Sequence, residues 1–279
     1  MTRLGFAANP TSESAVGLRE RALGWCAVHG IEAWAAEASA RDLLVRDLPT
    51  SDALVVLGGD GTFLRAVRAV AEVDVPILGI NSGKVGFLSK AEAVQLEAVL
   101  AMLADRAYDL EPRMLLEARI QPAGRPTAEP PYIGLNEAAV VRGSQARVVR
   151  LEVMIDDSHL ATYVADGLVV ATPTGSTGYS FSAGGPILDP TSRNLVVTPV
   201  AAYLAGIRSI VVSPRHVVTV RVEAAHDVLM SMDGREDTPL AVGDSVGIRA
   251  REQPVRFIEP HGAPPFWDLL RRKVELLPP

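Results

Sequence analysis

A turn with the sequence Gly58-Gly59-Asp60-Gly61-Thr62 directly follows an apolar run, Ala53–Leu57, and precedes a helix-like stretch from Phe63 to Val70. Glycines after a buried strand allow a tight turn, and the next helix then presents unpaired N–H groups to an anion. The order therefore predicts a strand, a phosphate-binding turn and a helix. A turn that only cradles phosphate has no use for a carboxylate, so we expect Asp60 to handle a proton or a metal. The alternative is that Asp60 is the N-cap of the helix, because Asp is a preferred N-cap.

Strand-like and helix-like segments alternate over the first 105 residues. We expect strands at Leu4–Ala8, Ile31–Ala35, Ala53–Leu57 and Pro76–Ile80, and helices at Glu13–His29, Arg41–Arg46, Phe63–Ala71 and Ala91–Leu103. Nearly continuous apolar strands between helices are typical of a parallel sheet covered on both faces. Ligands bind at the carboxyl ends of such strands, where Asp60 and the loop Asn81–Phe87 fall.

After about Glu111 the pattern changes to short β-branched segments separated by turn residues. These strands are expected at Met114–Ile120, Ala138–Arg142, Val148–Ile155, Leu168–Ala171, Leu195–Pro199, Ser209–Val212, Val217–Val222 and Ser245–Ala250. The proline-rich segment Gln121–Pro131 is expected to be a long hairpin loop. The tail, Pro265–Val274, returns to a helical pattern, and its cations Arg271, Arg272 and Lys273 are interpreted as a solvated face rather than a binding patch. We therefore predict a Rossmann-like α/β domain of residues 1–110 plus 263–279, and a β-sandwich domain of residues 111–262.

Composition excludes several classes of protein. The chain has 279 residues, of which 48% are hydrophobic, so it can form a large core. A net charge of −6 argues against a protein whose main partner is a nucleic acid. One cysteine, Cys26, cannot form an intrachain disulfide or a zinc-thiolate cluster, and the five histidines form no i, i+4 pair. With no run of 18 apolar residues to span a bilayer, we expect a soluble, cytoplasmic protein.

Two further segments carry chemistry-bearing residues. From Asp166 to Leu188, a strand enters a loop rich in hydroxyl residues and glycine that also contains Tyr179, which suits sugar and phosphate oxygens and a flat ring. An ordinary glycine-rich β connection with Tyr179 in the core is the alternative. Asn136 and Glu137 stand just before an apolar strand, where Asn can bind an amide edge and Glu can accept ribose hydroxyls. Two solvent-facing turn residues would give the same pattern.

Together these segments resemble the ordered motifs of bacterial NAD kinases. The resemblance rests on the motifs at 58–62, 81–88, 134–137, 166–188 and 266–273, and spans nearly the whole chain. The GGDGT turn alone is shared with diacylglycerol, sphingosine and 6-phosphofructo kinases, whereas the block from Thr172 to Ile187 is far more specific. The resemblance implies an α/β domain, a β-sandwich domain, a closing helix that returns to the first domain, and a homodimer or homotetramer.

The resemblance also assigns roles to individual residues. It makes Asp60 the proton acceptor, with the donor phosphates at a loop formed by Gly58, Gly59, Gly61 and Thr62. Residues that match NAD-binding positions are Asp60, Gly61, Arg65, Asn136, Glu137, Arg147, Asp166, Thr177, Gly178, Tyr179, Ser180, Phe181 and Ser182. The implied reaction is transfer of the terminal phosphate of ATP or polyphosphate to the adenosine ribose 2′-hydroxyl of NAD. A divalent metal, Mg²⁺, would accompany the donor, and no protein ligand for it is identified.

Two departures from the family pattern stand out. Asp233-Gly234-Arg235 replaces the Asp-Gly-Gln of many members, and the segment Val200–Gly206 lacks the Cys-Pro-His-Ser/Thr-Leu often found there. No GxxxxGK[ST] loop is present, and Lys84 is as well explained as a solvated loop cation.

Two rival functions stay open at this point. A lipid kinase would share the GGDGT turn, but it would need an apolar acyl cleft, for which the hydroxyl-rich loop at 172–182 offers poor walls. A non-catalytic NAD-binding protein would keep Asn136, Glu137 and Asp166 but would have no need of Asp60.

Overall fold

The computed structural model describes residues 1–83, 86–127, 130–143, 147–203, 206, 208–225 and 227–275. Its first elements are β1 (Arg3–Ala8), α1 (Glu13–Val28), β2 (Glu32–Glu37), α2 (Arg41–Asp47), β3 (Ala53–Leu57), α3 (Asp60–Val73), β4 (Ile77–Asn81), β5 (Ala91–Glu92), α4 (Leu96–Ala104) and β6 (Tyr108–Arg113). Next come β7 (Leu116–Gln121), β8 (Tyr132–Gly134), β9 (Glu137–Arg142), β10 (Val149–Ile155), β11 (Ser158–Ala165), β12 (Gly167–Ala171), α5 (Tyr179–Ser182), β13 (Leu195–Val200), β14 (Ile210–Val212), β15 (Val218–Ala224), β16 (Val228–Met232), β17 (Arg235–Leu240) and β18 (Ser245–Ala250). The last are β19 (Val255–Pro260) and α6 (Phe266–Glu275).

The chain folds into two compact units. The first comprises Met1–Arg113 and the chain from Pro254 onward, and the second comprises Met114–Gln253. The sequence analysis placed the divisions at 110 and 262, which would put β19 in the wrong unit. β19 pairs with β4 and β6, both in the first unit, and this long-range pairing leaves no local signal in the sequence.

A seven-stranded sheet forms the centre of the first unit. Its order is β2-β1-β3-β4-β19-β6, with the short β5 also paired to β4. β1 to β4 are mutually parallel and β19 continues that direction, whereas β6 runs antiparallel to β19. All five residues of β3 are buried, as expected for a central parallel strand between two layers of helices. The predicted α/β sheet is confirmed.

Helices cover this sheet through apolar faces. On one side, α1 and α4 contribute Leu18, Ala22, Cys26, Leu96, Val99, Leu100 and Leu103 to a core with alternate residues of β1, β3 and β4. α3 is amphipathic and buries Phe63, whose ring meets the Phe257 ring of β19 edge-on at 5.0 Å between centroids. α6 also belongs to this unit, as the resemblance implied.

Two six-stranded antiparallel sheets form the second unit. Their orders are β11-β10-β15-β18-β7-β8 and β14-β13-β12-β9-β16-β17. One core joins the inward residues of both sheets, for example Leu151 and Val220 from the first with Val140 and Val170 from the second. Two sheets facing each other over a shared core are a β-sandwich, and that prediction is confirmed.

Two helix starts differ from the sequence prediction. α3 begins at Asp60 rather than Phe63, so Asp60 lies inside the helix. The helix predicted from Ala91 begins instead at Leu96, because Ala91–Glu92 pairs with β4. Glu92 and Gln95 then form a reciprocal capping box at the following single turn of 3₁₀ helix, a signal that the sequence does contain.

Candidate active site

The turn after β3 is shaped by contacts that only glycine permits. A Cβ on Gly58 would lie 2.8 Å from Oγ1 of Thr62, and Gly58 has φ of 154°. Gly59 is the N-cap of α3, without a capping side chain, and accepts the N–H groups of Thr62 and Phe63 through its carbonyl oxygen. Asp60 is therefore the first helical residue. The alternative that Asp60 is the N-cap is wrong.

The Asp60 carboxylate is held by a neighbouring loop instead. Its Oδ2 accepts the backbone N–H of Phe87 at 2.9 Å, and its Oδ1 accepts that of Leu88 at 3.2 Å. A Cβ on Gly86 would overlap Oδ1, so the absence of a side chain there lets the loop approach. Each carboxylate oxygen keeps a lone pair for another donor. The arrangement fixes the position of Asp60 without using up its capacity to accept a proton.

The remaining predicted residues of this turn lie along the start of α3. Gly61 is exposed and Thr62 is buried. Arg65 is half-buried, one turn beyond Gly61 on the same helical face, and makes no ion pair with another described residue. Lys84, interpreted above as a solvated cation, lies outside the described residues.

In the second unit, Asn136 and Glu137 form a corner at the start of β9. Glu137 is only 7% exposed, which excludes the alternative of two solvent-facing turn residues. Burial, together with the nearby Asp233 carboxylate, raises the pKa of Glu137 to about 8, although the backbone N–H of Tyr179 donates to it.

Asp233 fixes this corner, and the sequence analysis missed that role. Its buried carboxylate accepts the N–H groups of Leu135, Asn136 and Glu137 at 3.0, 2.8 and 3.1 Å. Asp233 and Gly234 have φ of 53° and 68° between β16 and β17. Left-handed values at both central residues are typical of a tight hairpin turn, for which Asp-Gly is a recognised sequence signal. That signal predicts the turn but not the carboxylate's distant partners.

The corner contains two acceptors without donors. Oδ1 of Asn136 and Oε2 of Glu137 are buried, and neither has a hydrogen-bond partner among the described residues. A Cβ on Gly178 would stand 3.2 Å from Oε2 of Glu137, so glycine keeps this space open. Buried polar atoms are rarely left unpaired, and the corner is therefore suited to a ligand that brings hydroxyl or amide donors.

The segment from Thr177 to Ser182 adds both internal and exposed groups. Ser180 is fully buried, and its hydroxyl bonds that of Thr198 at 3.0 Å, while Thr177 donates to the Thr174 carbonyl. The residues Tyr179 and Phe181 are 40% and 45% exposed. Tyr179 is therefore not a core residue, which removes the alternative of an ordinary connection with Tyr179 buried.

The two other predicted residues of this unit lie at strand ends. Asp166, between β11 and β12, pairs with Arg142 at 2.9 Å. Arg147 is exposed just before β10.

Comparison with known proteins identifies the family. The model of the ATP-NAD kinase N-terminal domain matches residues 4–108, and that of the ATP-NAD kinase C-terminal domain matches residues 135–260. The chain belongs to the NAD kinase family. An NAD kinase of Symbiobacterium thermophilum is 44% identical over 80% of this chain and 78% of its own length. That of Syntrophotalea carbinolica is 34% identical over 98% of both chains.

Solved structures of NAD(H) kinases share the fold. Yeast NADH kinase, complexed with NADH, has a TM-score of 0.87 at 22% identity, over 99% of this chain and 87% of its own. An NAD kinase from Archaeoglobus fulgidus in complex with ATP has a TM-score of 0.79 at 26% identity, over 99% of this chain and 100% of its own. As a member of the NAD kinase family, the chain is a phosphotransferase that acts on NAD. The lipid-kinase and non-catalytic interpretations are thereby rejected.

The described residues include neither a metal-binding cluster nor a membrane-spanning helix. No group of three or more His, Cys, Asp or Glu side chains is arranged there to hold a metal ion. No helix in the same ranges is long and apolar enough to cross a membrane.

Proposed function

We propose that this NAD kinase family member uses Asp60 as the proton acceptor when it phosphorylates the adenosine ribose 2′-hydroxyl of NAD. The 2′ oxygen attacks the terminal phosphorus of ATP, the bond to the bridging oxygen breaks, and ADP leaves while the hydroxyl proton passes to Asp60. The observation that carries the proposal is the Asp60 carboxylate, held by the N–H groups of Phe87 and Leu88 instead of capping α3. A carboxylate fixed in this way is positioned for general-base work.

The donor would bind at the turn after β3. Gly58, Gly59, Gly61 and Thr62 bring backbone to the N-terminal end of α3. Gly61 and Arg65, on the next turn, are also assigned to NAD, as the resemblance implies. The ATP bound to the Archaeoglobus fulgidus enzyme supports ATP as the donor. Mg²⁺ would enter as part of the donor complex and would neutralise the charge of the phosphate groups.

The dinucleotide would bind at the corner formed by Asn136 and Glu137. Ribose hydroxyls can donate to the unpaired Oε2 of Glu137, and an amide can donate to Oδ1 of Asn136. The other assigned positions are Arg147, Asp166 and the run Thr177, Gly178, Tyr179, Ser180, Phe181 and Ser182. For Ser180 the proposal is limited to the backbone, because its side chain is internal. We also propose a homodimer or homotetramer, as the family resemblance implies, and a cytoplasmic location.

Two experiments test these roles. The first measures NADP formation by the purified protein with NAD, Mg²⁺ and either ATP or polyphosphate, for the parent and for Asp60→Asn. Asn keeps one acceptor but presents N–H₂ to the second backbone donor, so the variant should lose about 1–3 kcal/mol of stability and remain folded. Without the base, NADP formation should fall by about a hundredfold or more while NAD binding persists. Near-parental turnover would overturn the role of Asp60.

The second experiment addresses Glu137. Glu137→Ala removes the acceptor for ribose hydroxyls, and a buried polar group left without its partner costs about 1–3 kcal/mol, so NAD binding should weaken about tenfold or more. Calorimetry measures this affinity directly. An unchanged affinity in a folded variant would reject the assignment.

A further inference from the structure

One face of the C-terminal helix contacts the ring of Phe87. The Phe266 ring at the start of α6 lies 6.5 Å from the Phe87 ring between centroids, and the Lys273 ammonium lies 4.2 Å from the Phe87 centroid. Phe266 and Lys273 are about two helical turns apart and so share a face. The predicted solvated face is therefore wrong for Lys273, while Arg271 and Arg272 are exposed as expected.

Phe87 also carries one of the two N–H groups that hold Asp60. Its backbone donates to Oδ2 at 2.9 Å, and the next residue, Leu88, donates to Oδ1. Leu88 is anchored by its own burial, at 3% exposure, but Phe87 is half-buried and its ring is contacted by α6. Because the ring and the N–H belong to one residue, a contact that holds the ring restrains the backbone that carries the N–H.

Downstream of these donors, the loop is tied to the sheet. The backbone N–H of Lys90 donates to the Gly79 carbonyl, and the Lys90 ammonium pairs with Glu259 at 2.7 Å. These contacts involve β4 and β19 and do not involve α6. Within the described part of the chain, α6 contacts this loop at Phe87.

We propose that α6 positions the catalytic carboxylate: Phe266 and Lys273 hold Phe87, and the backbone of Phe87 orients Asp60 for proton transfer. This inference rests on the proposed role of Asp60 as the base. Phe87, Phe266 and Lys273 are positioning residues, because they act through Asp60 and need not touch substrate. A helix that only secured the end of the chain would affect stability but not the chemical step.

Lys273 and Arg272 provide a matched pair for the test. Both are cations in the last turn of α6, so Lys273→Ala and Arg272→Ala remove the same charge from the same helix end. Of these two cations, Lys273 is the one that lies over the Phe87 ring. Lys273→Ala should lower kcat for NADP formation about two- to fivefold, with little change in the KM for NAD, and Lys273→Arg should restore it. Arg272→Ala should leave kcat unchanged.

A second arm repeats both substitutions in the Asp60→Asn protein. If Lys273 acts through Asp60, Lys273→Ala should not lower the residual rate further, because coupled residues have non-additive effects. Two outcomes would overturn the positioning role. One is an equal effect of Lys273→Ala and Arg272→Ala on kcat, and the other is a fall in kcat with Lys273→Ala that is as large in the Asp60→Asn protein as in the parent. Failure of the proposed function is distinguishable, because Asp60→Asn alone would then keep near-parental turnover.

Discussion

At the residue scale, two carboxylates meet different surroundings. Asp60 accepts two backbone N–H groups and stays half-exposed. Glu137 is buried beside a second carboxylate and receives one backbone N–H, so burial and like charge outweigh that donor and raise its pKa to about 8. The first arrangement suits a base fixed in place, and the second suits an acceptor that a ligand completes.

Gly86 provides the sharpest steric test of the Asp60 site. A methyl group on Gly86 would overlap Oδ1 of Asp60, so Gly86→Ala should displace the carboxylate or the loop and slow NADP formation at least about tenfold, while NAD affinity stays near parental. Gly83→Ala is the matched control, since a Cβ there meets nothing within 4 Å. Steady-state kinetics that were equal for the two variants would contradict the assigned contact.

The raised pKa of Glu137 predicts a pH-dependent stability. Its pKa is about 8 in the folded protein against an ordinary 4.5, so between these values the folded state holds a proton that the unfolded state has lost. The free energy of unfolding should therefore fall as pH rises from about 4.5 to about 8 and level off above, with a slope of at most about 1.4 kcal/mol per pH unit. Glu137→Gln does not titrate. Urea unfolding of both proteins across this range should show their stability difference changing with pH, and a constant difference would count against the shift.

Sequence reasoning located these residues because motifs mark them, but it could not supply their partners. The GGDGT turn predicted a strand, a turn and a helix. It did not show whether Asp60 caps the helix, because the N–H groups that hold its carboxylate belong to Phe87 and Leu88, in a loop beyond the next strand. Likewise, the local sequence predicts only that Asp233 lies in a hairpin turn. Its three backbone donors around Asn136 are distant in sequence, and only the antiparallel pairing of β16 with β9 brings them together.

At the element scale, the hairpin of β16 and β17 supports the dinucleotide corner. In Asp233→Asn, the left-handed turn should persist because Asn tolerates that conformation, but the amide would face the N–H of Leu135 and one hydrogen bond would be lost. We expect a loss of about 1–3 kcal/mol in stability and weaker NAD binding. Removal of the neighbouring charge should also lower the pKa of Glu137.

Asp244→Asn is the control for that variant. Asp244 is also buried in this unit and accepts two backbone N–H groups, but from Ala123 and Ala241. Asp244→Asn should lower the stability about as much as Asp233→Asn does, and it should leave the calorimetric NAD affinity unchanged. If both variants weakened NAD binding equally, the effect would reflect general loosening of the sandwich and not the Asp233 contacts.

The elements that were hard to predict are those whose pairing is non-local. β6 has the sequence Tyr-Asp-Leu-Glu-Pro-Arg, whose proline cannot donate a ladder hydrogen bond and argues against a strand, and it is stable as an edge strand because it pairs with β19. The central strands were predictable since burial on both faces requires a continuous apolar run. Burial patterns therefore reveal the core of the sheet more readily than its edge.

At the scale of the whole molecule, the second unit is an insertion between two paired strands. The chain leaves the first unit after Arg113 and returns at Pro254, and Arg113 is the register partner of Val255 in the antiparallel pair of β6 and β19. The residues proposed for phosphoryl transfer and for dinucleotide binding thus belong to different parts of the chain. Neither unit alone carries both sets.

The register predicts that the first unit can fold without the insertion. Paired residues of an antiparallel ladder can be joined by a two-residue turn, so a chain of residues 1–113, Asn-Gly and residues 255–279 should form a β6–β19 hairpin and unfold cooperatively on heating. Residues 1–113 alone should show no cooperative transition, because β19 lies between β4 and β6 and buries Phe257 and Ile258. Circular dichroism during thermal unfolding compares the two, and the joined chain should form no NADP because it lacks Asn136 and Glu137. Identical melting of both chains would show that β19 is not needed for the first unit to fold, contrary to its place in the sheet.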